Sequence, residues 1–79
     1  MLLNKIYEII KTEFDYLYEN ELELDTTFSE LGFSSVNLMT LILCLEVEFN
    51  VIFDNDIIMN LESIREIYDY LHKEGITYE

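Results

Sequence analysis

Few side chains in this sequence could do chemistry, and only one arrangement of them is unusual. Leu31-Gly32-Phe33-Ser34-Ser35-Val36 places two adjacent hydroxyls where an acidic loop gives way to an apolar-periodic segment. A helix beginning there turns unpaired N–H groups and the positive pole of its dipole toward the serines, so it can seat a phosphate or tolerate a phosphate ester. The other candidates are weaker. Cys44, the single cysteine, has no base near it and reads as a small apolar residue of a helix. His72 has no second His, Cys or suitably spaced carboxylate beside it, so it reads as a solvated helix-end histidine. Asp54 and Asp56 lack the central Gly and closing Glu of a calcium loop. Tyr7, Tyr16, Tyr18, Tyr68, Tyr70 and Tyr78 read as core edge and surface. Phosphate-cradling glycine loops, zinc motifs and a Ser/His/Asp set are missing. Neither a metal site nor a catalytic residue is expected.

The elements that must position the serine pair follow from periodicity and caps, because there is no proline and only two glycines. Leu3, Ile6, Ile10, Phe14 and Leu17 recur at spacings of three and four, which predicts an amphipathic helix over residues 2 to 18. The run from Glu19 to Ser34 is a long loop, with Leu24, Phe28 and Leu31 expected to plug it into the groove between helices. Helix two is expected to start at Ser34 or Ser35, with Ser34 as its cap, and to run to Phe49. Asn50 stops it, and Val51, Ile52 and Phe53 form an apolar connector. A short helix over 55 to 60 follows, with Asp54 and Asp56 at its positive end. Ser63 and Glu66 make a capping box for the last helix, whose inner face is Ile64, Ile67, Tyr68 and Leu71. Lys73 and Gly75 suit its end. The expected fold is all-α, a small four-helix bundle of three main helices and one short one, with residues 1–79 forming a single domain.

Composition narrows the function. With 79 residues there is one compact core, burying roughly 60 % of the unfolded surface, and no room for an enclosed active site. An enzyme acting alone is not expected. Seventeen acidic against four basic residues, a formal charge of −13, exclude nucleic acid and anionic membrane as main partners, since both require a basic footprint. The 51 % hydrophobic content, with five Phe and six Tyr, separates the chain from disordered acidic segments. The opening MLLNKIYEIIKTEF, with polar residues spaced through it, does not read as a secretory signal, and the Leu38–Val47 stretch is far short of the roughly 20 apolar residues of a membrane span. A lone cysteine fits a reducing, cytoplasmic setting. Met1 and a short C-terminal tail fit a free-standing protein.

In its order of elements the chain resembles the acyl and peptidyl carrier protein family, small four-helix domains bearing a 4'-phosphopantetheine arm. The resemblance rests on Leu31-Gly32-Phe33-Ser34-Ser35-Val36, on the acidic, Phe-terminated Leu45-Glu46-Val47-Glu48-Phe49, on Asp25, Thr27, Phe28 and Leu31 in the long loop, and on the Ser63 start of the last helix. It spans about Leu3 to Leu71. It implies that Ser35 receives the arm from coenzyme A through a phosphopantetheinyl transferase that uses Mg²⁺. The arm's thiol then holds an intermediate as a thioester for loading and processing enzymes, the carrier itself being a monomer that does no chemistry.

Two departures from the family pattern bear on function. Ser34 stands where the family usually has aspartate, which keeps a cap but removes a charge, and leaves Ser34 as a second possible attachment hydroxyl. Helix two carries Asn37, Leu38, Thr40 and Val47 at positions that are commonly acidic in fatty-acid carriers. Partner contact is therefore expected through Val36, Leu38, Met39 and Val47, framed by Glu46 and Glu48, which favours nonribosomal peptide or polyketide biosynthesis over housekeeping fatty acid synthesis. If Leu38 and Val47 pack inward instead, that argument weakens. A carrier-like interaction module without a prosthetic group, and an acidic inhibitor or nucleic-acid mimic, are the readings of a different class.

Overall fold

The computed structural model describes residues 1–77. Helix α1 spans Leu2–Glu13, α2 Ser35–Phe49, α3 Asn55–Met59 and α4 Ile64–Lys73, with a 3₁₀ turn at Asp15–Leu17. Among the described residues there is no strand; one isolated bridge pairs Thr27 with Ser63. The expected bundle of three main helices and one short helix is what forms. No helix is long and apolar enough to cross a membrane.

The three main helices meet along apolar stripes, which for α1 and α4 follow the predicted faces except that Leu3 and Tyr68 are only half-buried. Ile6 and Ile10 of α1, Leu41, Ile42 and Leu45 of α2, and Ile64, Ile67 and Leu71 of α4 are at most 1 % exposed. Each such side chain contributes about 1.5–3 kcal/mol by leaving water, so this contact decides the arrangement of the helices. Helix α3 supplies no fully buried residue and leans on the bundle through half-buried Ile57 and Ile58.

Two expectations fail locally. The first helix ends at Glu13 rather than at residue 18, because Phe14 leaves helical geometry (φ −122°, ψ 82°) and the chain tightens into the 3₁₀ turn. Phe14 and Leu17 stay buried, since three residues make one 3₁₀ turn and keep both on the inner side. Spacing alone could not separate the two helix types. Leu24 is half-exposed and outside the core cluster, whereas Phe28 and Leu31 are buried as expected and Leu22 and Phe33 pack beside them.

The long loop is held at three points. Glu30 accepts from the Thr27 N–H (2.8 Å) and hydroxyl (3.0 Å), capping the turn that follows. That turn closes with Gly32 N–H on the Ser29 carbonyl and Phe33 N–H on the Phe28 carbonyl, both 3.0 Å. These two bonds make a Schellman motif, which requires the left-handed backbone that Gly32 adopts at φ 75°, and Phe33 lies stacked on Phe28 at 5.8 Å. Phe28 N–H then donates to the Glu62 carbonyl and Ile64 N–H to the Thr26 carbonyl, tying the loop to the start of α4. Beside them Arg65 grips Asp25 with two hydrogen bonds, 2.6 and 3.1 Å.

Gly32→Ala meets no atom within 4 Å, so its cost is purely conformational, about 1–2 kcal/mol by urea denaturation. The hydrogen bond from Arg65 holds the Asp25 carboxyl below its ordinary range, and hydrogen bonds from the Thr27 N–H and hydroxyl do the same for Glu30. Folded-state values that are lowered give stability present above the ordinary carboxylate range and lost as pH falls through the lowered ones. Arg65→Gln is therefore expected to show a smaller loss of melting temperature between neutral and acid pH than the parent.

Candidate functional site

The site is the junction of loop and α2. Gly32 turns the chain and Phe33 anchors it, its ring 4.6 Å from Phe14 and 5.8 Å from Phe28. Held at its inner end by this aromatic cluster, the chain emerges at Ser34 in extended geometry (φ −86°, ψ 175°) and enters α2 at Ser35. Tyr16 braces the turn by donating to the Leu31 carbonyl at 3.2 Å.

The two serines have different partners. Ser34 is the cap, as expected: its hydroxyl accepts from the Asn37 N–H at 3.2 Å, and its own N–H and hydroxyl donate to Asn37 Oδ1 at 2.9 and 3.1 Å. A capping box was foreseen at Ser63 and not here. Its signal was Asn three residues after Ser34, which departs from the usual Glu or Gln at that position. Ser35 is exposed at the first helical position, and its hydroxyl takes part in none of these bonds. The Leu38 N–H already reaches the Ser34 carbonyl. The N–H groups of Ser35 and Val36 precede the first intrahelical bond and have no carbonyl partner within α2. An exposed hydroxyl beside two free N–H groups and a helix's positive end fits a phosphodiester, its oxygens seated on the N–H groups.

Beyond the serines, α2 shows an uncharged outer face. Val36, Met39, Leu43 and Val47 are 73, 42, 57 and 85 % exposed. Helical spacing lines Val36, Leu43 and Val47 along about 16 Å on the side opposite Leu41, Ile42 and Leu45. Thr40 lies within this stripe, and its hydroxyl donates back to the Val36 carbonyl at 3.0 Å. Leu43 was missed at the sequence level, although its i+7 spacing from Val36 was the signal.

The other residues named for partner contact divide. Leu38 is half-buried and packs on the core, so it lies off this face. Glu48 is exposed, whereas Glu46 is half-buried and turns back to accept from the Phe53 N–H at 2.8 Å. That bond fixes the connector, in which Phe53 is buried and Ile52 is 75 % exposed. Cys44 is half-buried on the α1 side. Burial and a hydrogen bond with Glu13 raise its thiol above the ordinary range, which agrees with a structural role. His72 is exposed, with the Tyr68 ring stacked 6.0 Å away. No cluster of metal-ligating side chains exists among the described residues. Tyr78 lies outside them.

A family profile described as "Phosphopantetheine attachment site" matches residues 4–71. An acyl carrier protein homolog of Mycoplasma genitalium is 30 % identical over 79 residues, covering 95 % of this chain and 94 % of that protein. The crystal structure of an acyl carrier protein from Thermotoga maritima superposes with a TM-score of 0.80 at 25 % identity, covering 94 % of this chain and 86 % of that one.

Ser34→Ala removes the hydroxyl half of the capping box and is expected to cost about 1 kcal/mol of stability. Ser34→Asp keeps the acceptor and adds a charge at the positive end of α2, so its melting temperature should equal or exceed the parent's.

Proposed function

The chain belongs to the phosphopantetheine-attachment family of carrier proteins, and from that membership we propose that Ser35 is its attachment residue and that its partners belong to a specialised biosynthetic assembly line. As a member of this family it carries a covalent 4'-phosphopantetheine and acts as a carrier for other enzymes. When bound, the arm supplies a terminal thiol that holds the cargo as a thioester.

One observation supports Ser35 above all. It offers a free, exposed hydroxyl at the helix start, one residue after a hydroxyl that is already engaged. The chain's own task is then to hold Ser35 outward at a rigid corner, seat the phosphate on the helix N–H groups and present α2 to each partner. A phosphopantetheinyl transferase and the loading and processing enzymes are the partners that follow, all in the cytoplasm.

For the pathway, the support is the face composed of Val36, Met39, Leu43 and Val47. Steering by charge chiefly raises the rate of encounter, while a desolvated apolar contact near the centre of an interface supplies affinity. A face without charge at its centre suits dedicated partners, which favours nonribosomal peptide or polyketide biosynthesis. Fatty acid synthesis is the second reading. The names of the two similar proteins, an acyl carrier protein homolog and an acyl carrier protein, fit either pathway.

Incubation with coenzyme A, Mg²⁺ and a promiscuous transferase should add the mass of the arm to the parent and to Ser34→Ala, and nothing to Ser35→Ala. An adduct that survives Ser35→Ala and is lost in Ser34→Ala reverses the assignment; an unmodified parent with every transferase tried favours the armless interaction module. Val47→Asp should leave the melting curve intact and weaken loading by the cognate enzyme about tenfold or more. Leu38→Asp, by contrast, puts a charge against the core and should lower stability itself.

A further inference from the structure

We infer that Asn37 is the positioning residue that directs the arm to Ser35, by withholding the neighbouring hydroxyl from the same reaction. This rests on the assignment of Ser35 as the attachment residue. At either serine the reaction forms a bond from Oγ to the β-phosphorus of coenzyme A. The pyrophosphate P–O bond breaks, adenosine 3',5'-bisphosphate leaves, and the hydroxyl proton passes to a base of the transferase. A serine takes part only if its proton and a lone pair are both available. At Ser34 the proton is engaged with Asn37 Oδ1 at 3.1 Å, and one of the oxygen's two lone pairs accepts from the Asn37 N–H at 3.2 Å. Asn37 Oδ1 also holds the Ser34 N–H at 2.9 Å, which fixes the residue in its extended, capping geometry. The two hydroxyls are adjacent in sequence and both exposed, so exposure does not choose between them. Their hydrogen bonds do.

The side chain at position 37 is therefore a selectivity element that a chain with aspartate before the attachment serine does not need. Asn37→Ala frees the Ser34 proton, whereas Asn37→Asp keeps an acceptor in place. Both proteins, with the parent, are loaded from coenzyme A and Mg²⁺ by one transferase, and fragment-ion mapping reads the ratio of Ser34 to Ser35 adduct within a single peptide. Loss of one hydrogen bond should raise that ratio about fivefold in Asn37→Ala, and Asn37→Asp should return it to the parent's value. General loosening of α2 would lower both adducts together and would not be repaired selectively. If Asn37→Ala loses helical circular dichroism signal, Asn37→Met, also a helix former without an acceptor, takes its place with the same expectation. An unchanged ratio in a folded Asn37→Ala or Asn37→Met protein, or a raised ratio in Asn37→Asp, overturns the inference. A Ser34 adduct that outweighs the Ser35 adduct in the parent is a different result, since it overturns the Ser35 assignment itself.

Discussion

Two backbone hydrogen bonds, from Phe28 N–H to the Glu62 carbonyl and from Ile64 N–H to the Thr26 carbonyl, are the constraint on which the site depends. They join the cap residues Thr27 and Ser63, so that the turn after Thr27 and helix α4 both start from one pinned point. A loop this long would otherwise keep much of its chain entropy. Once pinned, the turn needs only the Gly32 reversal and the Phe14–Phe33–Phe28 cluster to deliver Ser34 and Ser35 at a fixed place and angle. The serines are thus held by backbone bonds and aromatic contact, with the Glu30 carboxylate capping the turn and the Arg65–Asp25 pair beside the tie to α4.

The elements that follow from periodicity and caps were legible in the sequence. Ser34 and Ser63 as caps, Asn50 and Gly75 as stops, and the inner stripes of α1 and α4 follow from local rules and form, apart from Leu3 and Tyr68, which are only half-buried. Fates decided by contacts distant in sequence were not legible. Leu24 and Phe28 are both apolar residues of the loop, and only the pairing with residues 62 to 64 determines which one enters the core. Leu38 and Val47 are both apolar residues of a helix with an apolar majority, where hydrophobic periodicity hardly distinguishes sides. Their separation, one against the core and one in water, required the position of α1 and α4. At the site itself, the serine pair was legible and the bond that distinguishes the two hydroxyls was not, because Asn at the third helical position is an uncommon closing partner.

Charge and apolar surface are divided between regions in a way that suits sequential binding. Glu19, Glu21, Glu23 and Asp25 line the loop, while Val36, Met39, Leu43 and Val47 leave the outer side of α2 uncharged. A field from net charge acts over roughly a Debye length, about 8 Å at physiological salt, and guides approach. Apolar contact acts only once water has been removed between the surfaces.

The half-buried thiol of Cys44 has a further consequence. A carrier that works through thioesters risks losing its cargo to any competing sulfur, because thiol exchange proceeds through the thiolate and follows its abundance. Burial and the Glu13 carboxylate beside Cys44 both raise its thiol above the ordinary range and so disfavour the thiolate, and it is the only cysteine in the chain. The one thiol of the polypeptide is thereby biased away from the thiolate form that would compete for a thioester held at the end of the arm.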